Sequence, residues 1–435
     1  MSDVSIGFSG LALLLALIAL RVPIGASLIG VSFGGIWLLA GERAAWGALG
    51  VVPWGFAASW QLSSIPMFLF MGFVCYHADL TSGLFRAARV FLSWLPGGLA
   101  VASVFGASAF ASVTGSSVAC SAAMGKIAVP EMVRQRYDIS LATGTVAAAG
   151  TIGALIPPSI LMILYGIIAQ VPVSQLFLGG VGAGLLTLAG YCAVIILRAW
   201  LNPALAPADS RRFTRQEQVA AVLEIWPVML MVLGIFGGLF AGIFTPTEAG
   251  AVGSAMALTI ALAKRSLSIA GLRASVLEAL TSSAALFIIA IGASMLTRFL
   301  AYSGAGDTLA ATISAVATNP VLLILGIALL YLLLGMFLEP MGAMLLTLPI
   351  LLPIINTAGL DLVWFGVLLI KFLEIGMITP PVGLNVYVIK GVVGDLAPLG
   401  KIFRGVAWFL VADIGIVVLL VAVPGIILWL PSLIQ

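Results

Sequence analysis

Hydrophobic runs follow one another along almost the whole chain, and most are long enough to cross a bilayer. A hydrocarbon core of about 30 Å needs about 20 predominantly apolar residues in a helix. Full crossings are predicted at 5–21, 22–40, 62–80, 174–199, 223–242, 246–263, 276–300 and 404–430. The segment 43–60, with Trp46, Trp54 and Trp60, is predicted to lie along the interface, where indole rings are favoured. The pattern indicates an all-α polytopic membrane protein.

Four apolar stretches are interrupted by polar or helix-breaking residues. Pairs of half-length arms are predicted at 97–130, broken near Thr114–Ser117, and at 320–353. Interrupted helices are predicted at 139–170 and 362–391, because consecutive prolines remove two backbone donors and disfavour helix just before them. The arms are predicted to form re-entrant hairpins, whose tips end inside the membrane.

The two halves of the chain match at a single offset of 223 residues. Pro23, Ala26, Gly30, Pro130, Asp138, Gly153, Pro157 and Pro158 return as Pro246, Ala249, Gly253, Pro353, Asp361, Gly376, Pro380 and Pro381. These residues mostly break or cap helices, so the halves are predicted to share a backbone plan. Repeated hydrophobic halves with matching interruptions are typical of secondary transporters, whose site lies at the repeat interface.

Each half then contains five crossings and one hairpin, and an odd number of crossings inverts the second half. The predicted first repeat is 1–200, with scaffold helices 1–80, hairpin 97–130 and interrupted helix 139–170. A cytoplasmic linker, 201–222, precedes the second repeat, 223–435. That repeat has scaffold helices 223–300, hairpin 320–353, interrupted helix 362–391 and last helix 404–430. Both termini are predicted to be periplasmic.

The basic residues agree with this topology. With the N-terminus outside, 16 of the 19 Lys and Arg residues fall on the cytoplasmic side, as the positive-inside rule requires. These are Arg21, Arg86, Arg89, Lys126, Arg134, Arg136, Arg198, Arg211, Arg212, Arg215, Lys264, Arg265, Arg273, Lys390, Lys401 and Arg404. No basic segment precedes the first apolar run, so the first helix is predicted to be retained rather than cleaved.

Composition excludes several classes of protein and site. Hydrophobic residues make up 62% of the chain and charged residues only 8%, far below the quarter that is typical of soluble domains. Cys75, Cys120 and Cys192 lie in apolar stretches without CxxC spacing and are predicted to be small buried hydrophobes. The single histidine, His77, excludes a multi-histidine metal site.

The hairpin tips and proline breaks hold the candidate ligands, because backbone groups inside a membrane must be satisfied by protein, water or an ion. Freed carbonyls and hydroxyls suit Na⁺, and the N-terminus of a half-helix can face an anion. The candidate Na⁺ ligands are Thr114, Gly115, Gly153, Ile156, Pro157, Glu339, Gly342, Gly376, Thr379 and Pro380. The candidate substrate-binding residues are Ser116, Ser117, Ser159 and Asn385. Plain helix packing by Ser and Thr, or a simple proline kink, is the structural alternative.

Buried charges leave further alternatives open. Glu339 is either functional or a cap for the second hairpin arm, with Pro340 at its first position. Lys371 and Glu374, three apart on one helix, are predicted to pair, although either could touch substrate. Asp413 is predicted to be hydrogen-bonded to a neighbouring helix. Thr245-Pro-Thr-Glu248 is predicted to be a capping box.

Five motifs in this order carry a resemblance that covers essentially the whole chain. They are Gly115-Ser-Ser-Val-Ala119, Leu155-Ile-Pro-Pro-Ser-Ile160, Gly242-Ile-Phe-Thr-Pro-Thr-Glu-Ala249, Gly335-Met-Phe-Leu-Glu-Pro340 and Ile378-Thr-Pro-Pro-Val-Gly-Leu-Asn385. With them the chain resembles the large membrane subunit of tripartite ATP-independent periplasmic (TRAP) transporters, of the DctM/SiaM type. The chain departs from the family where Cys120 and Glu339 stand, since aspartate is often found at both positions.

The resemblance implies an inner-membrane elevator that carries both hairpins and both interrupted helices past a scaffold. It implies Na⁺-coupled uptake of an organic acid, commonly a carboxylate, with Na⁺ as coupling ion and no other cofactor. It also implies two partners, a periplasmic substrate-binding protein and a small four-helix membrane subunit, which is expected to be a separate chain here. A stand-alone divalent-anion/Na⁺ symporter is the alternative with the same hairpin plan. An intramembrane enzyme is disfavoured by the single histidine and scattered carboxylates, and a channel by the paired broken hairpins.

Overall fold

The computed structural model describes residues 2–207, 213–316 and 319–433, and α-helices dominate throughout. The first half contains α1 (Asp3–Ala19), α2 (Ile24–Ala40), α3 (Glu42–Ala57), α4 (Ser64–His77), α5 (Ser82–Leu92), α6 (Gly98–Thr114), α7 (Ser117–Arg134), α8 (Ile139–Gly150), α9 (Ile160–Ala169) and α10 (Val173–Leu201). Tryptophans at 46, 54 and 60 are exposed on or beside α3, as predicted for an interfacial segment.

The second half contains α11 (Arg215–Phe240), α12 (Pro246–Ala263), α13 (Ile269–Ser303), α14 (Ala305–Val316), α15 (Pro320–Phe337), α16 (Pro340–Thr357), α17 (Leu362–Gly376), α18 (Leu384–Val393), α19 (Leu399–Ala422) and α20 (Gly425–Ser432). Within the described residues, six helices are long and apolar enough to cross a membrane: α10, α11, α13, α15, α16 and α19. Several shorter apolar helices accompany them. The all-α polytopic fold is confirmed.

Helix ends recur at the offset of 223 residues. The first residues of α14, α16 and α17 lie 223 positions after the first residues of α5, α7 and α8. The repeated aspartates cap equivalent helices: Asp138 accepts from the backbone N–H of Ser140 and Leu141, and Asp361 accepts from that of Trp364. Both Pro-Pro peptide bonds in the interrupted helices are cis. The two halves therefore share the positions of several helix ends as well as the repeated residues.

Several predicted boundaries were wrong. Helix α5 was not predicted, and α14 lies between the predicted crossing 276–300 and the predicted hairpin 320–353, because both are too short to stand out as membrane crossings. Helix α11 begins inside the predicted linker, where Thr214 and Glu217 form a capping box. The last predicted crossing is divided into α19 and α20 at Val423–Pro424. Arg211 and Arg212, placed in the cytoplasmic linker, lie outside the described residues.

Helices from the two halves pack on each other in two groups. In one group α2 packs on α13 and α4 packs on α12. The repeat relates these two contacts, because α12 is the counterpart of α2 and α13 is the counterpart of α4 at the offset of 223 residues. In the other group α8 packs on the hairpin helices α6 and α7 and on α19, while α17 packs on α15 and α10. Helix α4 contacts α6, and α13 contacts α16, so each hairpin meets the first group. The hairpin tips therefore lie where the two groups meet.

The crossing of α8 and α19 depends on two facing glycines. A methyl group at Gly405 would overlap the carbonyl oxygen of Ser140 and lie 3.1 Å from the Cα of Gly144. Gly405→Ala is expected to destabilise the protein by about 1–3 kcal/mol through overpacking. Gly415 of α19 faces open space, so Gly415→Ala should stabilise by about 0.5–1 kcal/mol. Thermal unfolding of the two purified variants compares them directly, and equal melting temperatures would contradict the close helix crossing.

Candidate functional site

The first hairpin tip meets the first proline break. Thr114 ends α6, Gly115 has a φ of +62°, and Ser116 caps α7 by accepting from the backbone N–H of Ala119 at 3.4 Å. A methyl group on Gly115 would lie 2.8 Å from the carbonyl oxygen of Pro158, so this turn requires both the torsion and the missing side chain of glycine. The predicted tip and break are brought together.

The other candidates of the first break are all buried or half-buried. A methyl group on Gly153 would lie 3.5 Å from the backbone nitrogen of Ser117, which places the break directly under the tip. Ile156 instead faces Gly184 of α10. Ser159 is fully buried and caps α9 by accepting from the backbone N–H of Met162 at 3.4 Å. The Ser159 hydroxyl therefore already has a structural role.

The second tip is Leu338–Glu339, between α15 and α16. Glu339 occupies the N-cap position of α16 with Pro340 at the first helical position, as the capping alternative predicted, but its side chain forms no capping hydrogen bond. Glu339 lines both of the cavities described below. Gly342, also a candidate ion ligand, is buried against Ile24 of α2 and is not among the residues that line these two cavities.

The second proline break packs against the second hairpin, close to its tip. Gly376 is buried against Gly335 of α15, where a methyl group would lie 2.7 Å from the neighbouring Cα. Thr379 donates to the carbonyl of Ile375 at 2.7 Å, and Pro380 is exposed. Asn385 is fully buried on α18, where its Nδ2 lies 3.5 Å from the carbonyl oxygen of Ala147 on α8. Asn385 therefore connects the two interrupted helices.

A carboxylate from the second half holds the first tip. Ser117 donates from its hydroxyl to Oε2 of Glu374 on α17 at 2.7 Å, and Glu374 is 1% exposed. Glu374 was not among the candidate ligands, although a carboxylate inside an apolar run could have marked it.

The predicted pair of Lys371 and Glu374 is wrong. The ammonium of Lys371 lies 2.6 Å from Oδ1 of Asp413 on α19, and both residues are fully buried. Tyr191 of α10 donates to the Asp413 carboxylate at 2.9–3.0 Å, and its hydroxyl also lies 3.1 Å from that of Thr151 in the first break. Residues three apart on α17 point to different neighbours, because partners on other helices lie closer. The prediction that Asp413 is hydrogen-bonded to a neighbouring helix is confirmed.

A small cavity lies between the two tips. Its volume is about 30 Å³, and Gly115, Ser116, Ser117, Glu339 and Glu374 are among the residues that line it. A cavity of this size holds one water molecule or one monatomic ion. The sequence-predicted tips therefore meet at a site for one small polar species.

A larger cavity of about 490 Å³ separates the tips from α4 and α13. This volume falls within the usual range for organic ligands. Thr114, Ser116, Ile160, Glu339 and Met341 contribute from the tips and the start of α9. Glu278, Thr281 and Ser282 contribute from α13 and were not predicted, although Glu278 is also a carboxylate inside a hydrophobic region.

Comparison with known proteins identifies the family. Residues 11–426 match the model of the family described as "Tripartite ATP-independent periplasmic transporter, DctM component". The C4-dicarboxylate TRAP transporter large permease protein DctM of Pseudomonas aeruginosa is 32% identical, with 86% of each chain covered. The sialic acid TRAP transporter large permease protein SiaM of Vibrio cholerae is 30% identical over 96% of this chain and 97% of that protein.

The fold is also similar to a solved structure. The Alcanivorax borkumensis YdaH transporter aligns with a TM-score of 0.62 at 15% identity, over 88% of this chain and 90% of that chain. At this identity the likeness concerns the fold alone. The family match and the two relatives, each spanning most of the chain, confirm the resemblance seen in the motifs: the protein belongs to the DctM family of large membrane components of tripartite ATP-independent periplasmic transporters.

Proposed function

We propose that this multi-pass inner-membrane permease imports an organic acid together with Na⁺. The observation that carries the proposal is the cavity of about 490 Å³ at the meeting point of the tips with α4 and α13. The first turns of α7, α9 and α16 line it with Ser116, Ile160 and Met341. Helix N-termini carry partial positive charge, so three of them offer a carboxylate a favourable end of the cavity.

The donor atoms around the tips suit Na⁺. The small cavity brings Glu339 and Glu374 together with the first tip, and hard cations prefer oxygen ligands. Buried oxygens without a hydrogen-bond partner in the described structure include Ser121 Oγ, beside Gly150 at the end of α8, and Asn385 Oδ1. When bound, Na⁺ would compensate buried carboxylate charge, and these residues and the freed carbonyls of the first break would hold it.

An elevator movement fits the division of helices into two packing groups. We assign the scaffold to the group containing α2, α4, α12 and α13, and the moving part to the hairpins with α8, α9, α17 and α18. The cavity lies between these groups, so sliding of one against the other would carry its contents across the membrane. The inverted repeats 1–200 and 223–435, with both termini periplasmic, agree with the distribution of basic residues.

The family acts as a tripartite system, and we assign this chain the two corresponding partners. A small four-helix membrane subunit would stabilise the scaffold in the bilayer. A periplasmic binding protein would deliver substrate and, by binding one elevator state more tightly, shift the equilibrium between states. The family consists of transporter components and not of enzymes.

Reconstituted vesicles test the proposal. Uptake of labelled organic acids is expected only when the chain, the small subunit and the cognate binding protein are present and an inward Na⁺ gradient is imposed. Omitting each component in turn, or replacing Na⁺ with K⁺, should reduce uptake to background. Robust uptake by this chain alone would favour a stand-alone symporter, and uptake driven by a proton gradient without Na⁺ would refute the assigned coupling ion.

A further inference from the structure

The large cavity has two chemically different sides. The tip side offers the N-termini of α7, α9 and α16 together with the hydroxyl of Ser116, whereas the Thr114 hydroxyl donates to the carbonyl of Phe110. These groups stabilise an anion through helix dipoles and hydrogen-bond donation. Glu339 also lies on this side, but its carboxylate is shared with the small cavity assigned to Na⁺.

The opposite side, on α13, is rich in hydrogen-bond acceptors. Glu278 lines the cavity one turn before Thr281 and Ser282. Oε1 of Glu278 lies 3.2 Å from Nε2 of His77, and the Glu278 side chain is 45% exposed, so the carboxylate is also open to other partners. The neighbouring Tyr76 lines the same region. Because the His77 imidazole already contacts the Glu278 carboxylate, a second carboxylate on a ligand would meet the negative charge of Glu278 rather than a free cation.

No lysine or arginine lines this cavity in the part of the chain that the structure describes. A basic group beside each carboxylate would bind a dicarboxylate strongly, whereas two carboxylates at close range repel each other. The cavity instead presents helix N-termini on one side and an acceptor carboxylate on the other. Its polarity matches a ligand whose two ends differ in charge.

The distance between the tip side and the α13 side of the large cavity can be estimated along α4, which contacts both. A methyl group on Gly72 would lie 3.1 Å from Cα of Thr114 in the first tip, and His77 contacts Glu278 five residues later. Five residues of α-helix rise about 7.5 Å. A short, extended organic acid spans this distance, with its carboxylate at the tips and its far end at Glu278.

We propose that the transported acid has one carboxylate and a hydrogen-bond-donating far end, a hydroxyl or an ammonium group, that is recognised by Glu278. The proposal rests on the assignment of this cavity as the substrate site. It makes Glu278, on the scaffold side, a specificity-determining residue that selects against a second carboxylate. A C4-dicarboxylate, the substrate named for the relative from Pseudomonas aeruginosa, is then disfavoured here.

Three four-carbon acids that differ only at the far end test the proposal. Succinate ends in a carboxylate, γ-hydroxybutyrate in a hydroxyl and γ-aminobutyrate in an ammonium group. The chain is purified with its small subunit in nanodiscs containing saturating Na⁺, and thermal stabilisation is measured as each acid is titrated. We expect γ-hydroxybutyrate and γ-aminobutyrate to bind about tenfold or more tightly than succinate.

Charge variants of Glu278 identify the residue responsible. Glu278→Gln should reduce the preference for γ-aminobutyrate over succinate, because it removes the negative charge at the far end, and Glu278→Lys should reverse the order so that succinate binds most tightly. Glu42→Lys, on the exposed start of α3 outside the cavity, is the matched control and should keep the parental order.

Tighter binding of succinate by the parent protein, no stabilisation by any of the acids, or an unchanged order in Glu278→Lys would each overturn the proposal. Na⁺-driven uptake with the binding protein is measured separately. Failure of this inference is therefore distinguishable from failure of the proposed import function.

Discussion

Methionine in place of Lys371 is expected to lower the free energy of unfolding by about 3–5 kcal/mol, because it leaves the buried Asp413 carboxylate without its cation. Lys371 is fully buried and lies 2.6 Å from Asp413, whose oxygens otherwise accept only from Tyr191 among the described contacts. Asp413→Leu should have a similar effect, since it leaves a buried ammonium unpaired.

The double variant Lys371→Met/Asp413→Leu is the informative control. Replacing both members of a buried pair with apolar residues of similar volume is often neutral, so the double variant should be more stable than either single one. Tyr191 would still contact the hydroxyl of Thr151. Thermal unfolding of the purified proteins measures all three, and additive destabilisation in the double variant would show that the two charges do not stabilise each other.

Glutamine in place of Glu374 is expected to reduce Na⁺-driven uptake by about tenfold to a hundredfold. Glu374 accepts the hydroxyl hydrogen bond of Ser117 at 2.7 Å and lines the small cavity between the tips. A hydrogen bond to a charged group contributes about 1.5–3 kcal/mol, and about 1.4 kcal/mol corresponds to a tenfold change. The glutamine keeps the shape of the side chain but removes the charge that holds the tip.

A double-mutant cycle separates this effect from general damage. Ser117→Ala should also reduce uptake, and Glu374→Gln/Ser117→Ala should be little worse than Glu374→Gln alone, since the two residues act through one contact. Glu224→Gln, which alters an ion pair between α11 and Arg86 of α5, is the control and should retain most uptake. Parental uptake by Glu374→Gln over a full Na⁺ titration would contradict a role for this carboxylate.

Much of the helical plan could be read from local signals. Apolar runs of bilayer length predicted most crossings, and the prolines at 157–158 and 380–381 located both interruptions, since their effect on the backbone does not depend on distant residues. The capping box of Thr245 and Glu248 formed as predicted, as both partners lie within one turn. Short helices such as α5 were missed, because length in the bilayer was the signal used.

The identities of partners across helices could not be read in this way. Lys371 is three residues from Glu374, yet it pairs with Asp413, 42 positions away. The contact of Asn385 with Ala147 of the other interrupted helix, 238 positions away, also gave no signal in the sequence. Glu278 contributes to the large cavity only because α13 packs beside α4.

The sequence by itself determined where helices begin, break and repeat, because those choices depend on capping residues, prolines and apolar length within each segment. It also determined the family, through motifs at the tips and breaks. Only the tertiary structure decided which tip meets which break, which carboxylates face the cavities and which are neutralised by a neighbour. These depend on the way the two groups of helices pack, and residues far apart in the chain share no periodicity that would place them together.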